Sequence, residues 1–403
     1  MEKIDRIEEL PEILQHVVLT YSPVIDRSRR AIGTRLMAIS TTGIDHLVSD
    51  VVLALSGILP GQAKFSMIAP FGLKYDASLL CIEAPSNVMV EIPAIALQDP
   101  AFLSMMPELA RRGMRMALRG RSDAPIDQSL LPLFEYALVC VKDDRRKCPP
   151  PPGVKRVLRF IMTGAESVAG VDESFFRGAA ATAGWPLNEA IVPQGPSGLQ
   201  SSRATVMRMM ALVNQYADVS KIEQAMKQDP AIAFKLLKMI NSPGFGLPTK
   251  INSFSSAIMM LGYNKMLRWL NLLLCTSSVE RNSLPLVHAS VRRGLFMEQL
   301  GRGNAQKRDA LFMVGVFSLI DKIIGQPIVD IFNSISVSKD IQNAVIDRTG
   351  PLGDELALIE AIEIGSASKI VSLQNKMGLT VLACNQALLH ALRSAESLDL
   401  GAP

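Results

Sequence analysis

The chain has 403 residues, with 42 Lys and Arg against 38 Asp and Glu; a charge so nearly balanced gives no general affinity for nucleic acid. Its length accommodates two or three domains with sizeable cores. Five cysteines, an odd number with no Cys-x-x-Cys spacing, argue against a disulfide framework and fit reduced thiols in a cytoplasmic protein. Met1 to Arg6 is charged rather than apolar, so no signal peptide is expected. No apolar run reaches the ~18 residues a membrane-spanning helix needs. The longest, Met266 to Cys275, is broken by Arg268 and Asn271.

In the first half, short β-like runs alternate with helical ones. Val88 to Ile92 reads as a strand, Pro100 to Arg112 as a helix stopped by Gly113, and Met114 to Leu118 as the next strand. Tyr136 to Val141 and Val157 to Ile161 are further apolar runs of strand length. This alternation implies βαβ units around a parallel sheet. Cys148 to Gly153 has polyproline character and reads as a stiff surface loop. Pro193 to Gly198 is a turn-rich break, so one domain is expected over 15–195 and a second over 200–403.

Beyond residue 200 the pattern is helical, with no credible strand. Asp229 is an N-cap and Pro230 the first helical residue. Ala233, Phe234, Leu236, Leu237 and Ile240 then form an apolar stripe at helical spacing. Asn241 to Pro248 stops that helix, Ser253 to Ser256 offers caps for the next, and Gly262 ends it.

Gln228-Asp229-Pro230, Asn241-Ser242, Gly246-Leu247-Pro248 and Leu261-Gly262, at this spacing, closely resemble the HDOD family, helical signalling relatives of the HD phosphohydrolases. Phe312, Val314, Gly315, Phe317, Ser318 and Asp321, followed by Gly350-Pro351-Leu352-Gly353, resemble the C-terminal region of proteins that join an EAL domain to HDOD. HD hydrolases hold metal through an adjacent His and Asp, since neutral imidazole and carboxylate suit such ions. No His-Asp dipeptide occurs here, and Phe317 and Ser318 stand in its place. His16, His46, His288 and His390 are widely scattered.

Ser22 to Met37 resembles the opening of an EAL domain. That resemblance implies a barrel-like cyclic di-GMP phosphodiesterase, whose carboxylates hold divalent metals that activate a water. Matched onto the pattern, the metal-binding Glu falls at Arg35 and a phosphate-contacting Arg at Ile39. The paired Asp falls at Arg119-Gly120, the Gln-Gly at Arg177-Gly178, and Phe160 to Thr163 carries no acid. Glu91 is the one acid kept. This half is also short beside the ~250 residues of a complete barrel, which leaves its closure open.

The expected fold is multidomain α and β: a degenerate EAL-like α/β barrel, then an all-α HDOD domain. No P-loop, GxGxxG opening a helix, HExxH or GxSxG is found. The chain is therefore expected to be no enzyme, to need no cofactor or metal, and to relay signals by binding other signalling proteins. Phe245 and Leu247, large apolar residues in a Gly/Pro-framed loop, are candidates for that interaction surface. The alternative is metal-independent binding of cyclic di-GMP or another anionic nucleotide, with Arg35, Arg119, Arg177 and Glu91 as the ligand-binding set. Residual phosphohydrolase activity is the third reading. Neither nucleic acid nor a membrane is an expected partner, and a homodimer stays open.

Overall fold

A computed structural model describes residues 10–41, 46–59, 65–83, 85–120, 126–144, 158–189, 198–227, 236, 240–241, 254–276, 281–334 and 337–396. By its contacts the chain divides into two units, 1–186 with 360–389 and 187–359 with 390–403.

The first unit is a closed barrel of β1 (Val17–Ile25), β2 (Ala31–Ser40), β3 (Phe65–Phe71), β4 (Val88–Pro93), β5 (Arg115–Arg119), β6 (Tyr136–Cys140), β7 (Arg159–Thr163) and β8 (Ala181–Ala183). β1 runs antiparallel to both its neighbours, β2 and β8, while every other pair is parallel. The short chain thus closes its barrel. Among the described residues between the strands, 3₁₀ turns occur at Ala77–Cys81, Gln128–Leu133 and Val141–Asp143, and helices at Val48–Ile58, Pro100–Arg111 and Val168–Phe176.

β4 to β7 lie where the apolar runs predict them. The resembled opening motif spans the end of β1, a turn and most of β2. In that turn Asp26 Oδ1 accepts the backbone N–H of Ser28 and of Arg30. Arg29, at φ 65°, pairs with Asp172 and lies over the rings of Phe175 and Trp185, 5.1 and 5.6 Å from their centroids. The arginine-rich stretch after Asp26 therefore locks the hairpin to the Val168–Phe176 helix.

Val24, Met67, Met89, Ala117, Leu138, Ile161, Ala181 and Ala183 form one buried interior cluster. Side chains alternate along a strand, so residues two further on along β3 to β7 also point inward, at the carboxyl ends.

The helices over 360–389, which chain order assigns to the second domain, pack in this first unit. A buried amide helps to hold them there. β8 pairs with β1 only at Val24 and Ile25, which leaves backbone groups nearer the start of β1 in need of partners. Asn385, 1% exposed on the helix Val381–Glu396, accepts the Leu19 N–H at 3.0 Å and donates to the carbonyls of Leu14 and Val17 at 2.8 and 2.7 Å. Asn385→Ala orphans all three, at ~1–3 kcal/mol for each group left dry. We expect a loss of about 3 kcal/mol in urea unfolding; a change below about 0.5 kcal/mol would show that water replaces the amide.

The second unit is helical, and among the described residues it contains no strand. Its helices include Gly198–Asn214, Val219–Lys227, Phe254–Thr276, Leu284–Leu300 and Ala305–Phe317. Gly262, at φ 76° and ψ 168°, breaks the Phe254–Thr276 run at the expected place. The helices Leu284–Leu300 and Ala305–Phe317 cross at Gly294 and Gly315, where backbones meet almost directly: a Cβ on Gly315 would lie 2.4 Å from Gly294 N. Phe317 is fully buried and packs edge-on to Phe332 at 5.5 Å. Ser318 Oγ donates to Gly315 O at 2.6 Å and accepts from Arg293 Nη1 at 2.9 Å. The two positions where HD hydrolases place His and Asp are thus a core ring and a bonded hydroxyl.

Gln228 to Pro230, the polyproline run from Cys148, most of the break at Pro193 to Gly198, and both Phe245 and Leu247 lie outside the described residues. No helix among the described residues is long and apolar enough to cross a membrane.

Candidate ligand site at the barrel mouth

Three of the four residues proposed from sequence meet. Arg35 stands on β2, Glu91 on β4 and Arg119 at the end of β5. All three face inward, because Met67 (the register partner of Arg35), Met89 and Ala117 belong to the interior cluster. Ala69, the next inward residue on intervening β3, is small, which leaves room for Arg35 to span to Glu91. Arg35 donates through Nε and Nη2 to the two Glu91 oxygens, the second bond being 2.8 Å. Glu91 is fully buried, and Arg119 Nε lies 3.8 Å from Oε2, the oxygen that also accepts Arg35 Nη2. Two guanidinium groups therefore share one carboxylate, an excess of one positive charge in a nearly dry ring.

That charge is incompletely satisfied. Arg119 donates Nη2 to Pro70 O at 2.8 Å and stacks on Phe71 with its carbon 3.7 Å from the ring centroid. Its Nη1 is buried and has no hydrogen-bond partner among the described residues. Burial pushes the Arg119 guanidinium below its ordinary pKa, with the neighbouring Glu91 opposing that shift; guanidinium nevertheless stays protonated in proteins. The Arg35 Nη1 donor faces a thioether, Met37 Sδ at 3.3 Å, a weak acceptor. Tyr75 completes the wall: its hydroxyl donates to Glu91 O at 2.6 Å, and burial raises its pKa strongly, so it remains a neutral donor.

Arg177 is elsewhere. It caps the Val168–Phe176 helix, which leads into the start of β8, and pairs with Glu173 and with Asp144. Phe71, Tyr75 and Met37 were not singled out in the sequence; the signal for Phe71 and Met37 is the inward alternation of β3 and β2, while Tyr75 lies in the loop after β3 and carries no such signal. A separate groove of about 610 Å³ lies outside the barrel between the 12–15 turn and the Val48–Ile58 helix, where His16 and His46 stack at 4.7 Å. None of the predicted residues lines it.

A divalent metal, which the EAL resemblance implies, does not fit this ring. Both Glu91 oxygens already accept guanidinium bonds, and no group of three or more His, Cys, Asp or Glu among the described residues is placed to hold a metal ion.

Residues 199–331 match the HDOD domain family. The chain carries an HDOD domain. With the closed eight-stranded barrel before it, the order is barrel then HDOD domain. The chain is 24% identical over 184 residues to the Vibrio cholerae serotype O1 protein named cyclic di-GMP phosphodiesterase CdgJ, covering 45% of this chain and 43% of that relative. It is 22% identical over 306 residues to the uncharacterized protein YuxH of Bacillus subtilis, 73% of this chain and 75% of that one. Among solved structures, the EAL domain of Pseudomonas aeruginosa FimX bound to c-di-GMP covers 47% of this chain and 96% of its own at 11% identity, with a TM-score of 0.30. A likeness that slight leaves the closed barrel itself as the ground for the fold. The expectation that the chain is no enzyme is overturned by CdgJ, a relative named for phosphodiester hydrolysis.

Proposed function

We propose that this protein acts in cyclic di-GMP signalling, with the barrel mouth as its cyclic-dinucleotide site and the HDOD domain as the part that engages other signalling proteins. The observation that carries the ligand class is the surplus guanidinium charge at Arg35 and Arg119, with Arg119 Nη1 buried and unpartnered among the described residues. A phosphodiester is a singly charged anion with two free oxygens, the complement of one surplus charge and forked donors. Phe71 and Tyr75 add aromatic surface beside it. The name of the Vibrio relative favours the same ligand and makes its hydrolysis the activity to assay.

Calorimetric titration with cyclic di-GMP at low salt, in EDTA, tests this. Wild type should bind, more weakly as salt rises. Arg119→Ala should lose at least about tenfold, the ~1.4 kcal/mol expected of one charge-assisted contact. Parallel incubations with magnesium or manganese are read for the linear dinucleotide, and any turnover should fall with binding in Arg119→Ala. No heat at high-micromolar protein, or equal binding by Arg119→Ala, would remove the proposal.

A further inference from the structure

We infer that the state of the mouth is transmitted to the C-terminal segment 360–377 through Met37, a coupling that rests on reading the mouth as an anion site. Met37 lies against both. Its sulfur faces Arg35 Nη1 at 3.3 Å. Its methyl lies on the other side against Gly365, 3.6 Å from where a Cβ would stand. Thr20, the register partner of Met37 across β1 and β2, completes the contact: its hydroxyl is buried, lacks a partner among the described residues, and lies 3.8 Å from the same point.

Gly365 is no passive neighbour. It ends the Gly353–Ile364 helix at φ 79°, and the N–H groups of Gly365 and Ser366 turn back onto Ala361 O at 3.1 Å each. Tyr21 Oη donates to Glu363 Oε1 at 3.2 Å, so the same hairpin strand also grips the helix end. The turn is held in one geometry that a side chain at 365 would strain, and Met37 is the flexible element that touches it.

The transmission is mechanical. While Glu91 holds Arg35 by two bonds, the third donor of that guanidinium stays on the Met37 sulfur. An anion that competes with Glu91 draws the guanidinium away. Met37 then loses its N–H···S contact and is free to change rotamer against the 364–366 turn. Coupling of this kind needs a physical contact with two arrangements at each end, and Met37 supplies it.

Hydrogen exchange on the full chain tests this with and without ligand. In ligand-free protein, Glu91→Gln removes the charge and one of the two acceptor oxygens, so the paired bonds to Arg35 Nε and Nη2 are lost. Exchange in peptides over 360–377 should change at least about threefold relative to wild type, with the Pro100–Arg111 helix unchanged as control. In a Met37→Leu background, which keeps volume and removes the sulfur contact, Glu91→Gln should produce no further change in these peptides. Cyclic di-GMP added to wild type should shift the same peptides in the same direction as Glu91→Gln. Unchanged exchange in Glu91→Gln, or a Glu91→Gln change of the same size in the Met37→Leu background, would overturn the coupling. A Glu91→Gln effect without any cyclic di-GMP effect would keep the coupling and remove only the ligand.

Discussion

Glu91→Ala should destabilise the barrel by about 3–5 kcal/mol, the range for removing one partner of a buried ion pair. The side chain is fully buried, and the two arginines it serves are 11% and 16% exposed, too little for water to take its place. What the variant loses is mainly not the attraction of the pair. It is left with two guanidinium groups of like charge facing each other in a dry ring, and each must be desolvated without a counter-ion. Two comparisons separate this from a simple cavity. Arg35→Met in the Glu91→Ala background should recover much of the loss, because one of the stranded charges goes with it. Inorganic phosphate should raise the melting temperature of Glu91→Ala more than that of wild type, by binding the folded state in place of the carboxylate. Urea unfolding of wild type, Glu91→Ala, Arg35→Met and the double variant closes the cycle. A Glu91→Ala cost under about 1 kcal/mol, with no recovery in the double variant, would show that the mouth is wetter than its burial implies.

Gly315→Val is the corresponding expectation for the helical unit, and its effect comes from backbone rather than charge. A Cβ at 315 would lie 2.5 Å from Arg293 C and 2.6 Å from Gly294 Cα, distances that side-chain adjustment cannot relieve. The helices Leu284–Leu300 and Ala305–Phe317 would have to separate, and with them the packing of buried Phe296, Phe312 and Phe317. Overpacking of this kind costs ~1–3 kcal/mol, occasionally more, and we expect the upper end because both contacting atoms are main chain. Gly57 supplies the internal control. It too lies in a helix, Val48–Ile58, but a Cβ there meets nothing within 4 Å. Gly57→Ala should therefore stabilise by roughly 0.5–1 kcal/mol, the helix-propensity gain alone. Thermal melts of both variants decide it: a Gly315→Val protein as stable as wild type would mean that the helix crossing differs from the one described.

Local patterns determined much of this protein. Apolar runs of strand length placed β4 to β7, and Pro100 with Gly113 bounded a helix, because those signals act within a few residues. The Gly262 break was legible for the same reason: a positive φ is a demand on one residue. The replacement of acids by Arg35 and Arg119 was likewise visible as residue identity. Barrel closure was not, since it depends on the three residues of β8 meeting β1 from the far end of the domain. Nor could spacing show that Arg35 and Arg119 share Glu91 while Arg177 turns to Glu173 and Asp144. A guanidinium pairs with whichever carboxylate the strand register brings within reach, and register is a long-range property. The return of 360–389 to the barrel was hidden for the same reason. It involves side chains such as Asn385 meeting backbone groups more than 360 residues earlier, and only tertiary structure sets such a distance.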